Sequence, residues 1–364
     1  MEERNETKEL QSARRSRKRN GRKSLLPLVL LFALVAVILG LWYRQLGPSR
    51  TRISENSLFG VQGDEVAVLY NYELQSDKAV LENGSVYLPL TLVKREMNQR
   101  FYWDKDEKCL VYAAPGGVRT FTAEEVDTEG KPLFFVKDQA LYLSLPLFRE
   151  FTNVRTEAYT DGEVKRLFVE TAPESDEVRA TKHKTVLRSR PSVRGSIVTV
   201  AAKAEALRVI PDHADAKTDT ARWVRVKTDS GFTGYVQQRS LQAAETVPYQ
   251  NSFAAQDYGT LSIGGKVLLG FHLVSNQAAN QGLSTLAGNA SGMNVIVPTW
   301  FSLRGNEGDY QSYADRAYVE AAHEKGLKVF ALLDNFDKSV TTGELLKKTS
   351  VRKKLIDSLM ADAD

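Results

Sequence analysis

An uncharged apolar run, Leu25 to Tyr43 (LLPLVLLFALVAVILGLWY), opens the hydrophobic pattern of the chain. At 1.5 Å per residue it rises roughly 28 Å, near the ~30 Å hydrocarbon core of a bilayer, which predicts a single transmembrane helix. Trp42 and Tyr43 close it, at the depth where amphipathic rings favour headgroups. Arg14, Arg15, Arg17, Lys18, Arg19, Arg22 and Lys23 precede it, while only Arg44, Arg50 and Arg52 follow over a comparable distance. That bias places the N-terminus in the cytoplasm and the rest outside, a single-pass protein of the cell membrane. A cleaved signal peptide is the rival reading. It requires an apolar stretch of about 7–15 residues and a small-x-small site, whereas this run is longer and ends in bulky side chains.

Residues 44–60 are polar and aperiodic, as in a short tether. Over 61–173 a pattern repeats. Val86-Tyr87-Leu88-Pro89-Leu90 leads through a short helical stretch to Phe101-Tyr102-Trp103-Asp104, a charged turn, Cys109-Leu110-Val111-Tyr112 and Ala114-Pro115. Leu141 to Leu145 begins a second copy, which runs through Pro146 to Phe151, turns at Asp161-Gly162, continues as Arg166 to Val169 and closes at Ala172-Pro173. Each copy predicts strand, short helix, hairpin. Pro146 suits a first helical position, where its missing N–H is not needed, and Asp-Gly favours a hairpin turn.

After a polar linker at Glu174–Glu177, short β-rich runs separated by turn residues predict a small all-β barrel: Thr185–Arg188, Ser196–Val200, Ala206–Ile210, Trp223–Val226 and Gly234–Val236. Gly234 is expected to permit a backbone turn. In the last hundred residues, Val267–Val274, Val295–Val297 and Val329–Leu333 are near-continuous apolar runs, the mark of parallel strands buried on both faces. Tyr310, Tyr313, Ala314, Ala317 and Ala321 form a helix face stopped by Gly326. Ser350 is a candidate N-cap for a final helix carrying Val351, Leu355, Ile356 and Leu359. Repeated βα units predict a barrel of eight or, by pattern alone, an open doubly wound sheet.

Charge changes this picture little. The net formal charge of +4 is concentrated in the first 24 residues, where nine Lys/Arg face four Glu. The remainder is near neutral and has no basic patch for a phosphate backbone, so nucleic acid is excluded as a partner. One cysteine, Cys109, permits no intrachain disulfide, and an exported protein without bridges fits a bacterium.

Three resemblances refine these expectations. The tandem pattern of 61–173 resembles the stalk domain named after the N-terminus of copper amine oxidases. All four histidines (His183, His213, His272, His323) lie outside it, so no imidazole is there for copper and a structural spacer is implied. "LRSRPS", "WVRV" and "GFTGYV", in that order, resemble a bacterial SH3 domain over 182–245, which implies attachment to cell-wall peptide. Its Trp223, Val226 and Tyr235 read as core rather than ligand contacts, and Asp212–Asp215 as a solvated loop rather than a metal site. "NVIVPTWFSL", "AHEKGLKVFALLDNF" and "RKKLIDSL" resemble the glycoside hydrolase family 18 barrels of bacterial spore and wall enzymes. The chain thus reads as 1–24 cytoplasmic basic tail, 25–43 anchor, 44–60 tether, 61–173 stalk, 182–245 SH3-like domain and 260–364 the N-terminal part of a (β/α)8 TIM barrel.

The family 18 resemblance implies a catalytic glutamate at the tip of the fourth strand, acting with the substrate's own N-acetyl group. The chain is expected to end before that strand, leaving no catalytic residue. Asp362 and Asp364 continue a helical pattern and are not read as the acid. Strand ends in such barrels carry the site, which makes His272, Trp300, Asp334 and Asn335 candidate sugar contacts. The alternative is that Trp300 packs the rim and the others satisfy loop backbone, a reading favoured for His272 and Asp334. No cofactor and no metal are expected. The resulting function is a membrane-anchored, wall-associated glycoside hydrolase-like protein. Its partners are the membrane, through Leu25–Tyr43, and cell-wall peptide and N-acetylglucosamine-containing glycan, either peptidoglycan or chitin-like. The alternative is a non-catalytic wall-binding surface protein.

Overall fold

The computed structural model describes residues 26–211, 222–259, 262–289 and 291–363. The basic tail, Asp212–Asp215 and Asp364 lie outside the described residues. Two compact units are formed, one from Met1–Leu58 with Asp176–Val247 and one from Phe59–Ser175 with Pro248–Asp364.

In the first unit a helix runs Leu26–Leu46. Its side chains are described over 29–40 and at Trp42, all of them exposed. Among the described residues no helix is long and apolar enough to cross a membrane. The transmembrane helix expected over Leu25–Tyr43, and the single-pass localisation built on it, are corrected accordingly.

The rest of this unit is a seven-stranded sheet in the order Ile197–Ala201, Thr185–Arg188, Thr233–Gln237, Trp223–Lys227, Ala206–Val209, Ser175–Ala180, Glu245–Pro248. Leu187, Ala201, Leu207, Val226, Val236 and Leu241 form its core. Part of the expected tether and part of the expected linker are strand-like. Arg52 bridges Ile197 in parallel, with Ile197 N–H donating to Thr51 O at 2.8 Å and Ile53 N–H to Ile197 O at 3.0 Å. Gly234 lies within a strand, not a turn. A Cβ there would stand 3.1 Å from Arg188 O and 3.2 Å from Leu187 Cβ, so it is close strand approach that requires glycine.

The second unit holds another seven-stranded sheet, ordered Phe134–Lys137, Ala140–Ser144, Ser85–Pro89, Glu73–Glu82, Glu65–Tyr70, Lys165–Thr171, Val154–Tyr159. Glu65–Tyr70 pairs in parallel with Lys165–Thr171, joining the start of this segment to its end. Each copy of the repeat follows strand, helix, hairpin. The first copy runs from Ser85–Pro89 through Leu90–Met97 to a separate sheet of Phe101–Asp104, Cys109–Ala114 and Gly117–Phe121. The second runs from Ala140–Ser144 through Leu145–Phe151, whose first turn is capped by Ser144 Oγ accepting from Leu147 N–H at 3.3 Å. Phe101, Leu110, Tyr112, Phe148 and Leu167 lie in the shared core.

The C-terminal stretch does not form part of a closed cylinder. Leu269–His272, Val295–Pro298 and Lys328–Val329 pair in parallel as one three-stranded sheet. Phe301–Arg304 instead turns back on Asp309–Ser312 in an antiparallel hairpin and makes a second three-stranded sheet with Leu333–Asp334. The incomplete TIM barrel is therefore corrected to a mixed α/β arrangement of several small sheets. Of the three apolar runs expected to be buried on both faces, only Val295–Pro298 is buried along its length, while Leu269 and Phe271 are exposed; an apolar run fixes neither burial nor whether a hairpin divides the strands between two sheets. The final helix, Thr349–Ala363, is held at its N-terminus by the first repeat's hairpin turn. Asp104 Oδ2 accepts from Thr349 N–H at 2.8 Å and Thr349 Oγ1 at 2.6 Å. Glu107 accepts from Ser350 N–H at 2.9 Å and from the Ser350 hydroxyl.

Candidate functional site

In the first unit the sequence "SRPSV" makes a tight loop after the strand Thr185–Arg188. Gly195 closes it, for a Cβ would meet Arg190 O at 2.9 Å. Arg188 is buried beneath, its Nη1 donating to Gly195 O at 2.7 Å and to Ser49 O at 3.2 Å, and burial lowers its pKa. Above this support lies a groove of about 550 Å³ whose lining includes Pro191, Val193, Arg222, Trp223, Gln237 and Arg239. Trp223 is 8% exposed, so it belongs to the core and also forms a groove wall. Arg222 and Arg239 are exposed in the same lining. The Arg239 side chain is steadied by Nε donating to Gln237 Oε1 at 2.8 Å. An aromatic wall with two guanidinium groups in the same groove can take an apolar group with a carboxylate beside it, because the planar guanidinium fork pairs two oxygens at once. The sequence marked Trp223. It gave no sign of Arg222 and Arg239, because arginines next to turns read as solvated charge.

Of the four expected sugar contacts, His272 and Trp300 both pack on Tyr318, ring centres 5.6 Å and 5.2 Å away, while Asp334 and Asn335 bond to other partners. Trp300 is buried, its indole N–H donating to Asn280 Oδ1 at 2.8 Å, and Asn280 Nδ2 donates on to Tyr313 O at 2.9 Å. His272 is buried with Nδ1 3.0 Å from Tyr318 Oη, and burial lowers its pKa. Asp334 accepts from Ser302 Oγ at 2.6 Å. Asn335 is exposed, its Nδ2 donating to Thr342 Oγ1 at 2.6 Å. A cavity of about 860 Å³ beside Trp300 includes Asp315, Glu320 and Asp362 in its lining, yet each acid is engaged. Asp315 caps the helix Arg316–Glu324, Glu320 accepts from Arg316, and Asp362 accepts from Tyr310 Oη at 3.0 Å. Asn280 and Tyr318, the residues that hold Trp300 and His272, carry no pattern that sequence reasoning could isolate.

No curated protein matches the chain. Among solved structures it is similar to NlpC2 from Trichomonas vaginalis, at 10% identity over 52% of this chain and 46% of that one, with a TM-score of 0.16. It is also similar to NlpC1 from the same organism, at 9% identity over 56% and 54%, again with a TM-score of 0.16. The chain thus spans about half the length of each, and a likeness this distant carries no argument. The family comparison is local and agrees with the sheet, loop and core just described: residues 184–242 match, and form, a bacterial SH3 domain.

Proposed function

We propose that this protein binds the bacterial cell wall, taking wall peptide in the groove of its SH3 domain. The groove lined by Trp223, Arg222 and Arg239 carries this reading. Wall stem peptides combine small aliphatic side chains with free carboxylates, the two features that an aromatic wall and guanidiniums accept. The repeat at 61–173 serves as a spacer in this reading. The test is co-sedimentation of the full chain with purified peptidoglycan sacculi. Arg222→Glu with Arg239→Glu is expected to weaken binding about tenfold or more, and raised salt to weaken the unaltered chain in the same direction. Undiminished binding by the charge-reversed chain overturns the proposal.

Hydrolysis of N-acetylglucosamine-containing glycan is the finer reading that the family 18 resemblance implies. We expect none from this chain, since Asp362 is held by Tyr310 and no residue matches the family's general acid. Of the four candidate sugar contacts, Asn335 is the exposed one, and glycan contact in this proposal falls to it. Release of product from a chitooligosaccharide by the full chain would contradict this reading without touching the peptide groove.

A further inference from the structure

A second groove, of about 430 Å³, opens in the other unit, and its lining includes Trp103, Lys105, Lys108, Phe134, Phe135 and Val136. Three successive residues of one strand reach it. Successive strand side chains point to opposite faces, so a cavity touched by Phe134, Phe135 and Val136 together runs along the strand's edge. That strand, Phe134–Lys137, is the terminal member of its seven-stranded sheet. The two-residue turn at Asp138 and Gln139, with φ of 50° and 63°, makes Lys137–Ala140 the hydrogen-bonded pair of the hairpin. Antiparallel alternation then turns the N–H and C=O of Val136 outward, whereas Phe134 is 2% exposed, beside the Val126–Pro132 bridge.

The side-chain chemistry beside this edge is specific. Trp103 packs edge-on against Phe134, ring centres 5.7 Å apart, and Val136 is 50% exposed, giving an apolar wall and floor. Lys105 and Lys108 are exposed at the rim, and neither forms an ion pair among the described residues. The turn that carries them is fixed: Asp104 Oδ1 accepts from the N–H groups of Asp106 and Glu107, each at 3.0 Å, while Oδ2 holds Thr349.

We propose that this edge groove docks an extended peptide strand bearing acidic residues, added to the sheet alongside Phe134–Lys137. Main-chain hydrogen bonds to Val136 supply register. An aliphatic side chain rests on Trp103, and its acidic neighbours meet Lys105 and Lys108. This site is in a different unit from the SH3 groove and does not depend on the wall-binding reading.

The test uses the full chain and a fluorescein-labelled, end-blocked hexapeptide of alternating Glu and Val, followed by fluorescence anisotropy. Saturable binding is expected, at least tenfold tighter than for the Lys/Val hexapeptide. Lys105→Glu with Lys108→Glu should weaken the Glu/Val peptide tenfold or more. Val136→Pro, which removes one outward N–H, should do the same, with circular dichroism checking that the chain is folded. If Val136→Pro unfolds it, the lysine pair and hydrogen exchange at the Val136 amide carry the test, with protection expected on peptide addition. No binding, equal binding of both peptides, or indifference to the lysine reversal each overturns the proposal. So does self-association of the unaltered chain abolished by Val136→Pro, which would assign the edge to a second copy.

Discussion

Inside the second unit, His272 is a titrating side chain held in an apolar setting. Burial keeps its imidazole below the ordinary value of 6.5, and burial pushes the hydroxyl of its partner Tyr318 up to about 12. As pH falls through 6.5 the unfolded chain takes up a proton that the folded chain resists, so stability declines on acidification. A lower Tm at pH 5.5 than at 7.5 is expected, with the difference reduced in His272→Gln; an unchanged difference would refute it. Asp104 also loses stability on acidification, but there the fold favours the charged form. Burial pushes its carboxyl up, but hydrogen bonds from Thr349 and from the Glu107 and Asp106 N–H groups outweigh burial and hold it below 3.8. The stability this contributes is present above 3.8 and is lost only as pH falls through the lower folded value. Asp104→Ala removes the cap of the final helix and should cost about 1–2 kcal/mol, read from urea midpoints. Glu170 offers a third residue-scale case. It meets buried Arg155 at 2.5 Å and accepts from Tyr72 Oη at 2.6 Å. Glu170→Ala leaves the guanidinium buried without that partner, at a cost of about 3 kcal/mol. A loss below roughly 1 kcal/mol by the same urea measurement would show the pair to be dispensable.

Elements here depend on close backbone approach as much as on propensity. The strand Thr233–Gln237 reaches the strand Thr185–Arg188 only because Gly234 has no side chain. Gly234→Val would favour a strand by propensity yet is expected to destabilise the SH3 domain by about 1–3 kcal/mol through overpacking. Thermal unfolding of the full chain followed by far-ultraviolet circular dichroism checks this, and a Tm equal to or above that of the unaltered chain would contradict it. The words "LRSRPS", "WVRV" and "GFTGYV" were legible because turn residues and alternating apolar positions are local signals. The strand role of residues near Arg52 and Val178 was not legible, because those polar stretches become strands only by borrowing a partner's edge.

Across the whole molecule, apolar surface is unevenly distributed. Phe271, Leu273 and Phe336 are 65%, 76% and 83% exposed, all in the C-terminal stretch with its two open three-stranded sheets. Exposed aromatic and aliphatic groups in such number bind amphipathic dyes. The full chain is therefore expected to enhance anilinonaphthalene sulfonate fluorescence. The helix Leu26–Leu46 also exposes apolar side chains, so replacing all three residues with serine should lower that emission without abolishing it, and an unchanged signal would place the dye on the helix.

By itself the sequence determined the order of strand, helix and hairpin in 61–173, an SH3-like domain at 182–245, of which 184–242 match the family, and the absence of an intrachain disulfide. Each follows from neighbours within a few residues, or from a count. Tertiary structure alone decided that Glu65–Tyr70 lies parallel to Lys165–Thr171, that the last apolar runs divide between two sheets, and that the Trp300 N–H bonds to Asn280. It likewise decided that Phe134–Lys137 stands at an edge. These outcomes depend on which distant segments meet and which surfaces they cover, and periodicity is the same whether a strand lies at an edge or beneath a neighbour.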